Sequence, residues 1–203
     1  MIKVKDIIYP DGSKLYFTSD THFNHQKIIE FCDRPFKDVD EMNRELIRRW
    51  NEKVSQDGVV FHLGDFAWGG ARIWTDIIPK LNGTIHLIMG NHDVKNVRKY
   101  YDELFASVCF QKQIYVEGRH LYLNHYPFLT YGGIYLKEDE QVWQLFGHVH
   151  SKNRIEGGMD SERLKYLLPT QMDVGVDGSS DYAPYSWNEV KKQIERQVKE
   201  ANA

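Results

Sequence analysis

Five short apolar runs in this 203-residue chain each end in a carboxylate, an amide or an imidazole, and that repetition limits the fold more than any other feature. Residues 15–19 run into Asp20-Thr21-His22, residues 59–63 into Gly64-Asp65, and residues 84–89 into Gly90-Asn91-His92-Asp93. Residues 120–124 run into His125, and residues 142–146 into Gly147-His148-Val149-His150. Each run is rich in β-branched and aromatic residues and short enough to be a buried strand. In an α/β sheet the carboxyl ends of strands are where loops converge and ligands bind. The pattern predicts that five strands deliver nitrogen and hard-oxygen groups to one edge. Residues two apart in extended backbone point to the same side. Both members of Asp20-x-His22 and of His148-x-His150 are therefore expected to face one pocket.

Taken in order, Asp20-x-His22, Gly64-Asp65, Gly90-Asn91-His92-Asp93, His125 and Gly147-His148-Val149-His150 resemble the signature of the calcineurin-like metallophosphoesterases. The stretch Asp173-Val174-Gly175-Val176-Asp177 resembles the strand that follows the last motif in many members. The resemblance implies an α/β (α+β) fold, a four-layer αββα sandwich in which two mixed β-sheets are flanked by helices. It implies a hydrolase of phosphate monoesters or diesters that uses two divalent transition-metal ions. Manganese is the first expectation, with iron, zinc or nickel as alternatives.

The chemistry behind that implication is simple. Two cations ~3.5–4 Å apart generate hydroxide near neutral pH and clamp the transferring group. A carboxylate is suited to bridge them. By resemblance Asp65 is that bridge, with Asp20, His22 and His150 completing one metal site and Asn91, His125 and His148 the other. His92 would assist the leaving oxygen without binding metal. Asp93 either holds the ring of His92 or caps a following helix. A non-catalytic scaffold on the same fold is the competing reading.

Substrate contacts are less determined. Arg34 is placed either to clamp a phosphate or to make a surface ion pair, and His25 either touches substrate or merely begins a helix. Tyr126 opens an aromatic, glycine-rich stretch at the expected rim. Phe23, Phe66, Trp68, Phe128 and Tyr131 also lie beside motif residues, where they either stack on a base or pack beneath the site. The first option points to a nucleotide or nucleic-acid ester as substrate. A formal net charge of −3 gives no basic field for non-specific nucleic-acid binding.

Residues 1–203 are expected to form one domain. Two cysteines, Cys32 and Cys109, fit a reducing compartment and are read as buried and inert. With neither a signal-peptide pattern nor a membrane-length apolar run, a cytoplasmic protein without membrane association is expected. A β-hairpin is predicted across Pro10-Asp11-Gly12-Ser13, and helices over 23–31, 38–54 (capped by Asp38 or Asp40), 71–81 and 94–105. Strands are predicted over 108–117 and 120–124, joined around Gly118. The 151–170 connection is long enough to overhang the site. Ser186-Trp187-Asn188-Glu189 reads as a capping box opening a last helix through Val190, Ile194 and Val198. His62 and His86, in mid-strand, read as core imidazoles.

Overall fold

The structure, a computed structural model, describes residues 7–94, 104–134, 141–150 and 164–203. The first strands are β1 (Ile8–Tyr9), β2 (Leu15–Thr18), β3 (Val59–His62), β4 (Thr84–Ile88) and β5 (Ser107–Cys109). After them come β6 (Gln111–Val116), β7 (Arg119–Asn124), β8 (Trp143–Phe146), β9 (Gln171–Asp173) and β10 (Tyr185–Ser186). They form two mixed five-stranded sheets, one in the order β10-β2-β3-β4-β5 and the other β1-β6-β7-β8-β9.

The strands of the first sheet carry apolar residues on both faces because each face is buried by a different partner. Leu15, Phe17, Phe61 and Ile88 of the first sheet meet Ile114, Leu121, Leu123 and Leu145 of the second in one core. The opposite face, with Tyr16, Val60, Ile85 and Leu87, packs against helices. Those helices are α1 (Gln26–Phe31), α2 (Val39–Lys53) and α3 (Ala71–Ile77). In α2 the stripe Met42, Leu46, Trp50 is buried, and Asp38 caps the helix by accepting from the Glu41 N–H. Pro79 ends α3 in a 3₁₀ turn over Ile78–Lys80. The last helix, α4 (Trp187–Ala201), opens on the expected capping box of Ser186 and Glu189. It buries Trp187, Val190, Ile194 and Val198 in the core shared by the sheets.

Three expectations are corrected. Residues 7–19 form no hairpin: β1 pairs in parallel with β6 in the second sheet, while β2 lies in the first. The turn at Pro10–Ser13 carries the chain between sheets. The run 108–117 is likewise cut at Phe110, with β5 pairing with β4 and β6 with β7. The five ligand-bearing strands therefore approach from two sheets, β2, β3 and β4 from one and β7 and β8 from the other. The expected helix over 94–105 and the connection after His150 lie largely outside the described residues. Among the described residues no helix is long and apolar enough to cross a membrane.

His62 is a core imidazole as expected, fully buried, with Nε2 2.9 Å from the Thr21 hydroxyl and Nδ1 accepting from the Gly64 N–H. Burial lowers its pKa from 6.5 to about 3. The unfolded chain therefore takes up a proton there that the folded chain refuses between those two pH values. This ring's own contribution to the stability of the metal-free protein should fall as pH drops below 6.5, by about 1 kcal/mol per pH unit. Urea denaturation in chelator at several pH values between 6.5 and 4.5 measures the slope. His62→Gln should flatten it, and an unchanged slope in that variant would count against the assignment.

Candidate metal centre

The polar residues at the strand ends converge where the two sheets face each other. Asp20, His22 and His150 each bring one ligand atom to within 4.8 Å of the others, and Asp65, His125 and His148 do the same. Asp65 lies between the groups: its Oδ2 is 3.7 Å from His22 Nε2 and 3.5 Å from His125 Nε2. Asn91 Oδ1 stands 3.1 Å from His125 Nε2. The sequence-predicted ligands thus come together, in the two sets the resemblance implied.

They do so by a different backbone from the one expected. Asp20, His22, Asp65, His148 and His150 all have left-handed φ, between 43° and 73°. Extended alternation therefore does not aim the pairs at the pocket; tight left-handed turns do. Such φ values in residues with a Cβ cost ~1–3 kcal/mol each and persist only where surrounding contacts fix them. The contacts are present. Asp20 N–H donates to Gly64 O at 2.9 Å and His22 N–H to Asp65 O at 3.0 Å. His148 N–H donates to Asp20 Oδ2 at 2.9 Å. Two glycines let the loops approach this closely: a Cβ at Gly90 would collide with Asp65, and one at Gly147 with Ser19 and Asp20.

The imidazoles are oriented from behind. His125 Nδ1–H donates to Leu63 O at 2.7 Å, which turns Nε2 toward Asp65. His150 Nδ1–H donates to Asp177 Oδ2 at 2.6 Å, leaving Nε2 3.7 Å from Asp20 Oδ1. Burial alone would lower both rings. Neighbouring carboxylates instead push His125 up to about 9 and His150 up to about 11 in the metal-free protein. His22, by contrast, is held low by burial. Asp65 is kept well below the usual carboxylate range, against burial, by His125 and His22.

One atom tests whether these residues fit a cation. Asp20 Oδ1 is buried and has no hydrogen-bond partner, while its twin Oδ2 is satisfied. A buried carboxylate oxygen without a donor is expensive. Facing His22 and His150, it fits a cation ligand. The donors of the two groups are nitrogen and oxygen, a set suited to first-row transition metals.

The remaining predicted residues fall in different places. Asp93 does not spend its carboxylate on the ring of His92. Its oxygens accept from the backbone N–H groups of Asp65, Phe66 and Gly90 at 2.8–3.0 Å, so it braces the loop that carries Asp65. Burial raises its carboxyl to about 6. Whether it also caps a helix lies outside the described residues. The His92 side chain is 36% exposed, with Nε2 3.9 Å from Asp65 Oδ2, beside both groups and a member of neither.

Arg34 is neither a phosphate clamp nor a surface ion pair. Its side chain is fully buried, and Nε and the Nη2 amine grip both oxygens of Asp177 at 2.8 and 2.9 Å. Its other donors hold the carbonyls of Asp20 and Thr21. A guanidinium so occupied has no face left for substrate. His25 sits at the N-cap of α1, its ring stacked on Trp68 at 4.5 Å. Tyr126, 44% exposed, lies at the rim with its hydroxyl 3.5 Å from Asn91 Oδ1. Of the other aromatics, Phe23 and Phe66 are packing residues with no exposure, while Trp68 is open to solvent and touches His92 at 5.2 Å.

Two residues escaped the sequence reading. Asp177 is the carboxylate that aims His150, and only its place at the end of the Asp173–Asp177 stretch hinted at a role. Cys32, buried as expected, puts Sγ 3.4 Å from His150 Nδ1, whereas Cys109, expected to be buried too, is only partly covered on the edge strand β5. Cys32, His150 and Asp177 also satisfy the distances of a ligand triplet, but Asp177 is committed to Arg34.

Comparison with known proteins agrees with this geometry. The family model of calcineurin-like phosphoesterases matches residues 13–174, and the chain belongs to that family. Among individual relatives, an uncharacterized protein of Methanocaldococcus jannaschii is 33% identical, the match covering 90% of this chain and 92% of that one. The gene 66 protein of Mycobacterium phage D29 is 30% identical, over 90% of this chain and 96% of the phage protein. A solved structure of a protein of unknown function from Aquifex aeolicus superposes with a TM-score of 0.63 at 28% identity, covering 88% of this chain and 97% of its own.

Proposed function

We propose that this protein hydrolyses phosphodiesters with two divalent cations. One is held by Asp20, His22, His150 and Asp65, the other by Asp65, Asn91, His125 and His148. The observation that carries the reading is the pairing of two donor groups across the single Oδ2 of Asp65, with the unsatisfied Asp20 oxygen in one of them. Bound there, such a pair supplies a nucleophilic hydroxide near neutral pH and neutralises charge on the transferring group. The family and the ligand chemistry favour manganese, and the two free thiols support a reducing, cytoplasmic setting.

The chain's own residues have separate tasks in this reading. Arg34 and Asp177 fix the ring of His150, and Asp93 fixes the loop of Asp65. His92, partly exposed at the edge of the cluster, gives a proton or hydrogen bond from Nε2 to the leaving oxygen. His25 and Trp68 wall that flank.

Purified protein loaded with manganese should hold two cations per chain by elemental analysis and cleave bis(4-nitrophenyl) phosphate. Chelator should abolish the cleavage and added metal restore it. Protein that takes up cations yet leaves both aryl diesters and aryl monoesters intact would be a scaffold on this fold, not an enzyme.

A further inference from the structure

A cleft of about 550 Å³ opens beside the second donor group and shares His148 with it. Its lining is mostly apolar, with Tyr126, Phe128 and Leu129 from the segment after His125 and Leu164 and Leu167 from the segment before β9. Among the described residues none of its lining side chains is an acid, a lysine or an arginine. The volume falls in the range of ~300–1,000 Å³ typical of small-molecule sites.

The cleft is built into the fold. Both segments are tied to one pair of buried amides, Gln144 on β8 and Gln171 on β9. Gln144 Nε2 donates to Tyr126 O and its Oε1 accepts from Phe128 N–H, each at 2.9 Å. Gln171 Nε2 donates to Phe128 O at 2.9 Å and its Oε1 accepts from Leu168 N–H at 2.7 Å. Gln171 also donates to Gln144. Buried amides persist only when satisfied, so this network holds the two segments at a set spacing before any ligand arrives.

Its position gives it a side of the substrate. The ring of His92 touches His22 and Trp68. The cleft borders the second donor group instead, where its lining residue Tyr126 packs against His125 and His148. If the leaving oxygen is at His92, the group that stays on phosphorus points toward the cleft. We propose, resting on the phosphodiesterase reading, that this cleft binds the retained ester substituent and selects an uncharged aromatic one of nucleoside size. Tyr126 offers its ring next to His148, and Leu164 and Leu167 supply apolar lining farther along the cleft.

The test varies the retained group while 4-nitrophenolate leaves every time. Methyl, phenyl, 2-naphthyl and thymidine 5′-esters of 4-nitrophenyl phosphate form the series. In the wild type kcat/KM should rise at least about tenfold from methyl to naphthyl or thymidine. Leu167→Arg and Leu164→Arg, each checked for folding by circular dichroism, should flatten the series and leave the methyl ester's rate within about twofold. A separate equilibrium readout is the fluorescence of 2-naphthyl phosphate, which should bind the wild type at least about tenfold more tightly than either variant. A flat series in the wild type, or a preference that survives both variants, overturns the proposal. If no ester is cleaved at all, the hydrolase reading falls, and the fluorescence titration still decides the cleft.

Discussion

Replacing Asp65 by asparagine is expected to leave the protein folded, unable to hold either cation, and slower on phosphodiesters by about 10³-fold or more. The size follows from losing several kcal/mol of charge stabilisation at about 1.36 kcal/mol per factor of ten. Asparagine keeps the shape and can still accept the His92 N–H, which Asp65 Oδ1 takes at 2.9 Å. It loses the charge that Oδ2 presents to His22 and His125. The loop stays put because Asp93, not Asp65, holds its backbone. Manganese should therefore raise the melting temperature of the wild type, as a ligand bound only by the native state does, and leave the variant's unchanged. A variant that retains two cations by elemental analysis contradicts the bridging role.

His92→Ala should separate chemistry from metal binding. Both cations stay, because the ring belongs to neither ligand group, while turnover drops by ~10²–10⁴-fold. The loss should depend on the leaving group. 4-Nitrophenolate departs without a proton, so an aryl diester should suffer less than a dialkyl diester. Equal losses on both substrates would argue that His92 positions the phosphate instead of serving the leaving oxygen. A fall in metal content matching that of Asp65→Asn would remove the distinction altogether.

The convergence of Asp20, His22, Asp65, His125, His148 and His150 was legible because each follows an apolar run, whereas their division into two sets was implied only by the family resemblance. The capped helices α2 and α4 were legible for the same local reason: Asp38 and Ser186 sit just ahead of four-residue apolar periodicities. What could not be read is whatever depends on distant chain. Nothing near Pro10–Ser13 says that the strand before it pairs with β6 and the strand after it with β3. Arg34 looks like a surface residue until Asp177 is brought to it from 143 positions away. The left-handed turns at Asp20 and His148 were hidden too, since aspartate and histidine adopt them only where backbone contacts such as Asp20 N–H to Gly64 O enforce them.

That long-range pair has a bearing on how the centre comes into being. The side chain of Arg34 holds the carbonyls on either side of the first ligand turn, and its guanidinium reaches the carboxylate that steers His150. A nascent chain released only as far as residue 150 would own every ligand and still lack the strut that aims the last of them. The aim of His150, and with it the completed first ligand group, should thus wait on the C-terminal quarter that supplies Asp177.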